Sequence, residues 1–466
     1  MAIQYDRYIR WRDPIFLLLF LAGILLRAVR LSFPEDPAFD EIYYAPAAED
    51  YLQGRPDANS VHPPLAKIQM AAVILFMDVA KTAGFIDFQA MVPSRMSSLL
   101  AGIGILWLTH RLAYTLSGRP LLANLSLFLV SADFLSIVQS RIAMLDQIQA
   151  FWILAGFVFT AEVLFEKKGR DHVAFAALCF GVATACKWNG LFAAAGAWLA
   201  LMGGVYPQSA PPGEFEEDYE RPYPQRSWGK RVVCTLMFLV CGVVVYIAAY
   251  TPFFISQGSA GKESFEKIVG FHKRMVKFRY DPEQFKHRYL SQFYEWPLVL
   301  RPVWYYYVDT DKVVRGIVGI GNVIFWWPAF FLILESLWLG YRGSASPGGR
   351  SYDRLAQFAC CFYFPQWVLW KSSTTGGFFY YMIGLVPIMA IAMGRHLEEL
   401  FQEGKARKSP DDEAPEKRFN PWGSRTLAWF YLALVTVSLI LYYPLLTGLP
   451  VDDAYFRKLF FVDRWI

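Results

Sequence analysis

Charged residues are scarce in this chain, and long uncharged stretches separate them. Asp, Glu, Lys and Arg make up 18% of the 466 residues, whereas apolar residues make up 55%. Runs such as 15–26 and 173–186 carry no charge at all. Because a soluble domain of this size does not need so much apolar surface, the composition excludes a soluble globular protein and indicates a membrane protein.

Cysteine and histidine are also rare, with six residues of each. The cysteines fall inside apolar stretches, where we interpret them as small packed side chains, not as disulfides or metal ligands. The histidines lack the spacing of a metal site, so we predict no metal and no cofactor. The net charge of +5 arises from basic loops and requires no nucleic-acid partner.

The apolar stretches are long enough to cross a bilayer. A membrane-spanning helix needs about 20 mostly apolar residues, and on this criterion we count roughly eleven spans. An apolar segment at 66–84 is interrupted by charges, so we predict a helix lying along the membrane surface. The fold class is therefore an all-α polytopic membrane protein. The predicted spans are 14–33, 93–113, 120–138, 147–166, 172–187, 189–205, 231–254, 316–340, 353–371, 377–395 and 425–446.

Basic residues in short loops predict the orientation of the chain. They gather before the first span and then in alternate loops, as is typical of cytoplasmic loops. The N-terminus is therefore predicted in the cytoplasm and, with an odd number of spans, the C-terminus outside. We divide the chain into a transmembrane catalytic module at 1–255, an outer amphipathic and aromatic loop at 256–315, and C-terminal transmembrane helices at 316–466.

The acidic pair Asp40–Glu41 lies just after the first span, in the outer loop 34–92. Carboxylates at a membrane surface are usually solvated, which is the alternative here. The neighbouring aromatics Phe39 and Tyr44 indicate a partly apolar crevice instead, and such a crevice raises the pKa of a carboxylate and suits a general base. The motif HPPLAK, from His62 to Lys67, follows and can start a helix after its two prolines.

Several cations lie at depths that membrane segments usually avoid. Lys187 stands alone in ATACKWNGLFAAAG, where it costs roughly a few kcal/mol unless it is paired or lines a polar cavity. Snorkelling to the outer surface is the alternative. Arg95 opens the second span, and Arg141 lies near Asp146 in QSRIAMLD. For Arg141, a structural ion pair with Asp146 is the alternative to a functional role.

A carboxylate pair and cations at headgroup depth fit sugar transfer from a lipid-linked sugar phosphate. The carboxylate would deprotonate an acceptor hydroxyl, and the cations would neutralise the departing phosphate. Nucleotide-sugar enzymes instead use a metal held by an Asp-x-Asp motif. The segment 309–311 has that spelling, but we interpret it as the polar end of the eighth span.

The second outer loop contains a basic amphipathic stretch and an aromatic run. FEKIVGFHKRMVKF predicts a helix lying on anionic headgroups. The run that follows includes His287, Trp296 and Arg301. It is either an interfacial aromatic belt or a shelf that stacks on a sugar, and the sequence leaves both open.

Taken in order, these motifs resemble those of the protein O-mannosyltransferases, membrane glycosyltransferases of the GT-C architecture. The resemblance rests on FDE, HPPLAK, the arginine opening the second span, SRxxxLD, CKWNGL and WPLxxRPVWYYY, and it runs through most of the chain. It implies inverting transfer of mannose from a polyprenyl-phosphate carrier to Ser or Thr hydroxyls of exported polypeptides. It also implies a multi-pass protein of the bacterial cell membrane, with an extracytoplasmic active site and contact with the export machinery.

The resemblance also implies roles for individual residues. Asp40 is then the base, and Glu41 helps to place the acceptor. Arg95, Arg141 and Lys187 become candidates for the donor phosphate. The other residues predicted to bind donor or substrate are His62, Lys67, Asp146, His287, Trp296 and Arg301.

Two departures from the family pattern limit what it implies. The loop 256–315 is too short for the β-trefoil domain of eukaryotic members, which indicates a bacterial or archaeal-type enzyme. The tenth span lacks the histidine expected near Tyr380, so the sugar and acceptor are less defined. The alternative is a related transferase that moves a hexose or aminoarabinose onto a glycolipid. A transporter is a weaker alternative, because the sequence shows no internal repeat.

Overall fold

The computed structural model describes residues 13–57, 59–166, 168–204, 228–256, 262–281, 286–310, 312–344, 354–373, 375–402, 421–460 and 462–465. Most of these residues are helical. In chain order the helices are α1 (Pro14–Ala28), α2 (Glu41–Leu52), α3 (Leu65–Thr82), α4 (Val92–Ser117), α5 (Pro120–Ser131), α6 (Phe134–Gln139), α7 (Leu145–Phe165), α8 (Arg170–Cys186), α9 (Gly190–Leu199), α10 (Trp228–Ala248), α11 (Thr251–Ser256), α12 (Lys262–Tyr280), α13 (Val323–Ser344), α14 (Arg354–Val368), α15 (Val386–Gln402), α16 (Pro421–Thr447) and α17 (Asp453–Leu459).

The helices include several that could cross a membrane. Among the described residues, five are long and apolar enough, and four shorter apolar helices accompany them. The five are Val92–Ser117, Leu145–Phe165, Trp228–Ala248, Phe379–Gln402 and Gly423–Thr447. These helices confirm the prediction of a mostly helical membrane protein, while the count of eleven spans and the orientation stay predictions.

The chain also contains a small β-sheet, so the prediction of an all-α fold is wrong in this part. Strands β1 (Val303–Thr310), β2 (Val313–Gly319) and β3 (Val451–Asp452) pair antiparallel in the order β1-β2-β3. The aromatic and β-branched residues of β1 and β2 favour strands. Asp309 and Thr310 end β1 at the tip of this hairpin, so their interpretation as the polar end of a span was also wrong.

Helix α7 lies at the centre of the main core. It packs against α4 and α8, while α5 packs against α15. Helix α10 is different, because most of its side chains are exposed and it packs chiefly on α8. The two helices approach closely at Gly181, where an added Cβ would lie 3.1 Å from the Cα of Gly242. Two glycines thus permit the attachment of α10 at the edge of the bundle.

The two amphipathic segments predicted from the sequence are helices, α3 and α12. The contact of either helix with a membrane surface stays a prediction. Other predicted features lie wholly or mostly outside the described residues. They belong to the basic pattern that predicted the orientation. The basic residues before the first predicted span are Arg7, Arg10 and Arg12, and Lys167, Arg226 and Arg350 lie in the alternate loops, of which 206–230 and 396–424 are mostly outside the described residues.

Candidate active site

Asp40 stands at the start of α2, at the end of a tight turn. The preceding residue, Phe39, has a φ of 53°, a left-handed conformation that side chains other than glycine rarely adopt. The half-buried Asp40 carboxylate accepts hydrogen bonds from the hydroxyls of Tyr44 at 3.2 Å and Tyr380 at 3.4 Å. The turn thus places a carboxylate against two phenols inside the protein.

The surroundings of Asp40 raise the pKa of its carboxyl to about 6, mainly because burial disfavours the charged form. The positive charge of Lys187 lowers this pKa, while the carboxylate of Asp146 raises it. The group is therefore mostly ionised at neutral pH, yet basic enough to accept a proton, which is the property of a general base. The geometry agrees with the crevice that the neighbouring aromatics indicated.

This pKa gives a testable pH dependence. If ionised Asp40 is required, the kcat/KM of the reaction should fall as the pH decreases through about 6, since protonation removes the base. An ordinary aspartate would lose activity only near pH 4, at its usual pKa of about 3.9. The pH profile of initial rates checks this, and a plateau extending down to pH 5 would contradict it.

Phe39 forms the centre of an aromatic wall beside Asp40. Its ring meets those of Tyr305 at 5.0 Å, His287 at 5.6 Å, Tyr380 at 6.1 Å and Phe378 at 6.3 Å, each edge to face. Such edge-to-face contacts are favourable for aromatic rings. The predicted aromatic run therefore contributes His287 and Tyr305 to the candidate site, and its stacking on a sugar stays a prediction.

A bulge in β1 aims Tyr305 into the site. The register between β1 and β2 shifts between Trp304 and Tyr306, which leaves Tyr305 without a partner on β2. Its hydroxyl accepts a hydrogen bond from the Gln139 side chain at 2.7 Å. The bulge connects the small sheet to the helical core beside Asp40.

Glu41 does not face the site, which corrects its expected role in placing the acceptor. Its carboxylate is fully buried and pairs with Arg95 through two hydrogen bonds, at 2.9 and 2.8 Å. It also accepts from the backbone N–H groups of Ala38 at 2.8 Å and Ala143 at 2.7 Å. Glu41 therefore fixes the turn that carries Asp40 to α4 and to the segment before α7.

Arg95 and Arg141 are likewise engaged away from the site. The Arg95 guanidinium donates to Glu41 and to the carbonyls of Leu31, Pro34 and Asp36. Its donors are thus occupied inside the protein, so the expected role in binding the phosphate is corrected to a structural one.

The guanidinium of Arg141 binds backbone carbonyls at the end of α1. It donates to the carbonyls of Arg27 and Arg30, both at 2.9 Å, and to that of Val29. The structure therefore contradicts both hypotheses for Arg141, because its guanidinium forms no ion pair with Asp146 and is enclosed by backbone carbonyls at the end of α1. Like Arg95, it is a buried cation whose hydrogen bonds to backbone carbonyls stabilise the chain that follows α1.

Asp146 pairs instead with Lys187. The ammonium lies 2.8 and 3.0 Å from the two carboxylate oxygens, and both side chains are buried. The ammonium also lies 4.3 Å from the ring centroid of Tyr381 and 5.7 Å from that of Tyr380, within range of cation–π contacts. Lys187 therefore does not snorkel outward but is paired beside Asp40.

Lys187 lies on the wall of a cavity of about 340 Å³. Arg279 of α12 adds a second cation to this wall, and its guanidinium donates to Ser373 and, at 2.9 Å, to the carbonyl of Gly376. Two cations beside an apolar lining are suited to the phosphate of a lipid. The lining residues are Val61, His62, Pro63, Lys187, Trp188, Asn189, Leu191, Phe192, Met275, Phe278, Arg279, Tyr280, Trp370, Ser372, Ser373 and Tyr381.

Of the other predicted site residues, His62 lines this cavity, and Trp296 packs against two of its lining residues. Burial and the nearby charges of Lys187 and Lys67 lower the pKa of His62, so the ring is neutral near pH 7. The ring of Trp296 is buried against those of Trp370 at 5.6 Å and Tyr381 at 5.9 Å.

Lys67 and Arg301 lie outside the cavity lining. Lys67 is buried in an ion pair with Asp57 and donates to the carbonyl of His62 at 3.3 Å, so it fixes the loop before α3. Arg301 donates to the carbonyls of Arg464 and Arg288, both at 2.9 Å. It ties the outer loop to the end of the chain.

Sequence reasoning missed Arg279, Tyr380 and Tyr381 as members of the site. Arg279 directly follows the basic amphipathic stretch, and its charge was indistinguishable from those of the neighbouring surface lysines. The adjacent tyrosines opened a predicted span and offered no signal beyond their position at its outer end. A metal-free mechanism stays a prediction; the described residues hold no group of three or more His, Cys, Asp or Glu side chains suited to a metal ion.

Comparison with known proteins gives one family. A family model described as dolichyl-phosphate-mannose-protein mannosyltransferase matches residues 17–203, and a model of the C-terminal four-helix transmembrane region of protein O-mannosyltransferase matches residues 264–465. The polyprenol-phosphate-mannose–protein mannosyltransferase of Mycolicibacterium smegmatis is 23% identical over 95% of this chain and 90% of its own length. That of Mycobacterium tuberculosis is 22% identical over 92% and 86%, respectively.

Solved structures show the same fold. The protein O-mannosyltransferase Pmt1–Pmt2 complex of S. cerevisiae, bound to its sugar donor, has a TM-score of 0.73 at 12% identity over 97% of this chain and 92% of that chain. ArnT from Cupriavidus metallidurans in the apo state has a TM-score of 0.52 at 15% identity, over 93% and 76%. These matches confirm the expected GT-C architecture. Since two models of one family together match most of its length, the chain belongs to the protein O-mannosyltransferase family.

Proposed function

We propose that this protein transfers mannose from a polyprenyl-phosphate carrier to Ser or Thr hydroxyls of polypeptides. One observation carries the proposal: a half-buried carboxylate, Asp40, lies beside a cavity whose wall carries the cations Lys187 and Arg279. A base next to a phosphate-binding pocket is the pair of features that this transfer needs. The polyprenol-phosphate-mannose enzymes among the relatives support the choice of sugar and carrier.

In the proposed step, the acceptor oxygen attacks the anomeric carbon of mannose and forms the new glycosidic bond. The bond from that carbon to the phosphate oxygen breaks, and polyprenyl phosphate leaves with the electron pair. Asp40 takes the proton of the hydroxyl as the oxygen attacks. Attack opposite the leaving phosphate inverts the configuration at the sugar carbon.

The lipid part of the donor has a suitable place beside the cation-lined cavity. A second cavity of about 280 Å³ shares the lining residues Trp188 and Leu191 with the first. The rest of its lining is mainly apolar and comes from α8, α9 and α10, including Phe180 and Phe238. Isoprene units would bury apolar surface here while the phosphate faces Lys187.

Lys187 is expected to bind the donor rather than to take part in proton transfer. Lys187→Met should raise the KM for polyprenyl-phosphate mannose about 10- to 100-fold, because a hydrogen bond to a charged group contributes about 1.5–3 kcal/mol. Steady-state kinetics at varied donor concentration measure this. The double variant with Asp146→Asn controls for the unpaired carboxylate left behind. An unchanged KM in both variants would count against contact with the phosphate.

We further propose that the protein spans the bacterial inner membrane eleven times, with the active site on the extracytoplasmic face. The N-terminus would then be cytoplasmic and the C-terminus outside. Acceptor polypeptides would reach this face from the export machinery.

The experiment that tests the function is transfer in purified, detergent-solubilised protein. Polyprenyl-phosphate mannose and a Ser/Thr-rich peptide are supplied, and the peptide mass is measured. A mass increase of one hexose on the peptide is expected. Donor consumption without peptide modification, but with a modified glycolipid when one is added, would replace this proposal with the glycolipid alternative.

A further inference from the structure

A second polar cluster lies where α12 docks on α10. The Nε2 atom of His272 is 2.8 Å from the hydroxyl of Tyr246, and its Nδ1 atom is 2.8 Å from the carbonyl oxygen of Ile268. Because a carbonyl can only accept, Nδ1 carries a hydrogen, and in the neutral imidazole Nε2 accepts from Tyr246. The side chain of His272 thus links two helices in a defined orientation.

The hydroxyl of Tyr246 is the centre of this cluster. The indole N–H of Trp188 donates to it at 2.9 Å, and the hydroxyl of Tyr250 lies 3.1 Å away. Since Tyr246 gives its own hydrogen to His272, its oxygen accepts from both neighbours. Trp188 directly follows Lys187 in the chain, so the cluster joins α10 and α12 to the residue beside the cavity cation.

Apolar contacts supplement these hydrogen bonds. Tyr250, Phe271 and Met275 form a small buried group that is separate from the main core. The ring of His272 stacks on that of Trp188 at 6.0 Å. The hydrogen-bonded cluster and this apolar group therefore hold the middle of α12 together.

Helix α12 in turn forms one wall of the cavity that Lys187 lines. Arg279 lies seven residues after His272, two turns along the helix and on the same face. Its guanidinium lies 5.3 Å from the ring centroid of Trp370 and lines the cavity together with Lys187. A shift of α12 at His272 would carry Arg279 away from that wall.

We propose that Tyr246 and His272 are positioning residues for the lipid-phosphate donor. Their hydrogen bond holds α12 so that Arg279 stands with Lys187 at the phosphate. The inference rests on the proposed donor class but not on the identity of the sugar or the acceptor. It predicts that the pair affects donor binding and leaves proton transfer at Asp40 unchanged.

The test is the binding of polyprenyl phosphate, without sugar, to the purified full-length protein. Tyr246→Phe and His272→Phe should each weaken binding about fivefold, because each removes the one neutral hydrogen bond that joins Tyr246 to α12. His272→Gln should restore binding, because its side-chain oxygen can accept from Tyr246. In steady-state transfer, the KM for the donor should rise by the same factor while kcat changes less than about twofold.

Two further variants separate an effect on the position of Arg279 from a general loss of stability. Lys277→Gln removes an exposed cation from the same helix and should leave binding unchanged. In an Arg279→Gln background, Tyr246→Phe should add no further loss, because the residue it positions is gone. Full additivity, equal binding by Tyr246→Phe and wild type, or a fall in kcat matching the rise in KM would each overturn the proposal. If binding follows the prediction while no mannose reaches any peptide, the proposed function fails and the positioning role stands.

Discussion

Asp40→Asn is expected to reduce kcat by about 10²- to 10⁴-fold, the usual contribution of a positioned general base. The amide keeps the shape of the carboxylate but cannot accept the hydroxyl proton. Tyr44 and Tyr380 can still donate to its side-chain oxygen, so the fold and donor binding should persist. Single-turnover transfer with saturating donor measures the chemical step directly.

Asp36→Asn is the matched control for this substitution. Asp36 lies four residues earlier in the same loop, and its side chain is exposed. The control should transfer mannose at the wild-type rate, since an exposed carboxylate has an ordinary solvated environment. Near-normal turnover by Asp40→Asn would remove Asp40 as the base, and binding of polyprenyl phosphate shows whether the variant is intact.

Glu41→Gln is expected to destabilise the protein by about 3–5 kcal/mol, because it leaves the buried Arg95 without its charged partner. The pair is completely buried, with two hydrogen bonds between the side chains. The loss should appear as a lower melting temperature in detergent and less folded protein. Turnover should fall as a consequence, since the turn that places Asp40 loses its anchor.

Glu49→Gln, on the same helix but exposed, should melt at the wild-type temperature. The comparison separates an effect of the buried pair from an effect of charge on α2. A Glu41→Gln variant that melts like wild type but does not turn over would contradict the structural role and restore a direct one at the acceptor.

The sequence indicated which residues lie together at the candidate site better than it indicated their contacts. Asp40 and Lys187 could be identified because a carboxylate between aromatics and a lone lysine in an apolar stretch both demand a special environment. Both lie at the site. Glu41, Arg95 and Arg141 also carry charges that need partners when buried. Their partners are each other or backbone carbonyls, whereas the sequence suggested a bound substrate.

Partners distant in sequence could not be predicted. Arg141 lies five residues from Asp146, which suggested an ion pair, yet Asp146 pairs with Lys187 at a separation of 41 residues. The packing of α7 against α8 brings Asp146 to Lys187. Hydrophobic periodicity does not specify which faces of two helices pack together. The same limit explains why Arg279 was missed, since only the docking of α12 brings it to the cavity.

The helices were predictable from long apolar runs, whereas the small sheet was not. β1 and β2 contain few polar residues at regular intervals, so the aromatic run in β1 was interpreted as a membrane-interface belt or a sugar shelf, and 309–311 as the polar end of a span. β3 contributes only Val451 and Asp452, too short a segment to recognise without its partner strand.

The most direct test of the proposed active site is a structure of the Asp40→Asn variant with polyprenyl-phosphate mannose bound. We expect the phosphate to contact Lys187 and Arg279, and the anomeric carbon of mannose to face the side chain at position 40. A phosphate bound elsewhere, away from the cavity that Lys187 and His62 line, would contradict the proposed active site.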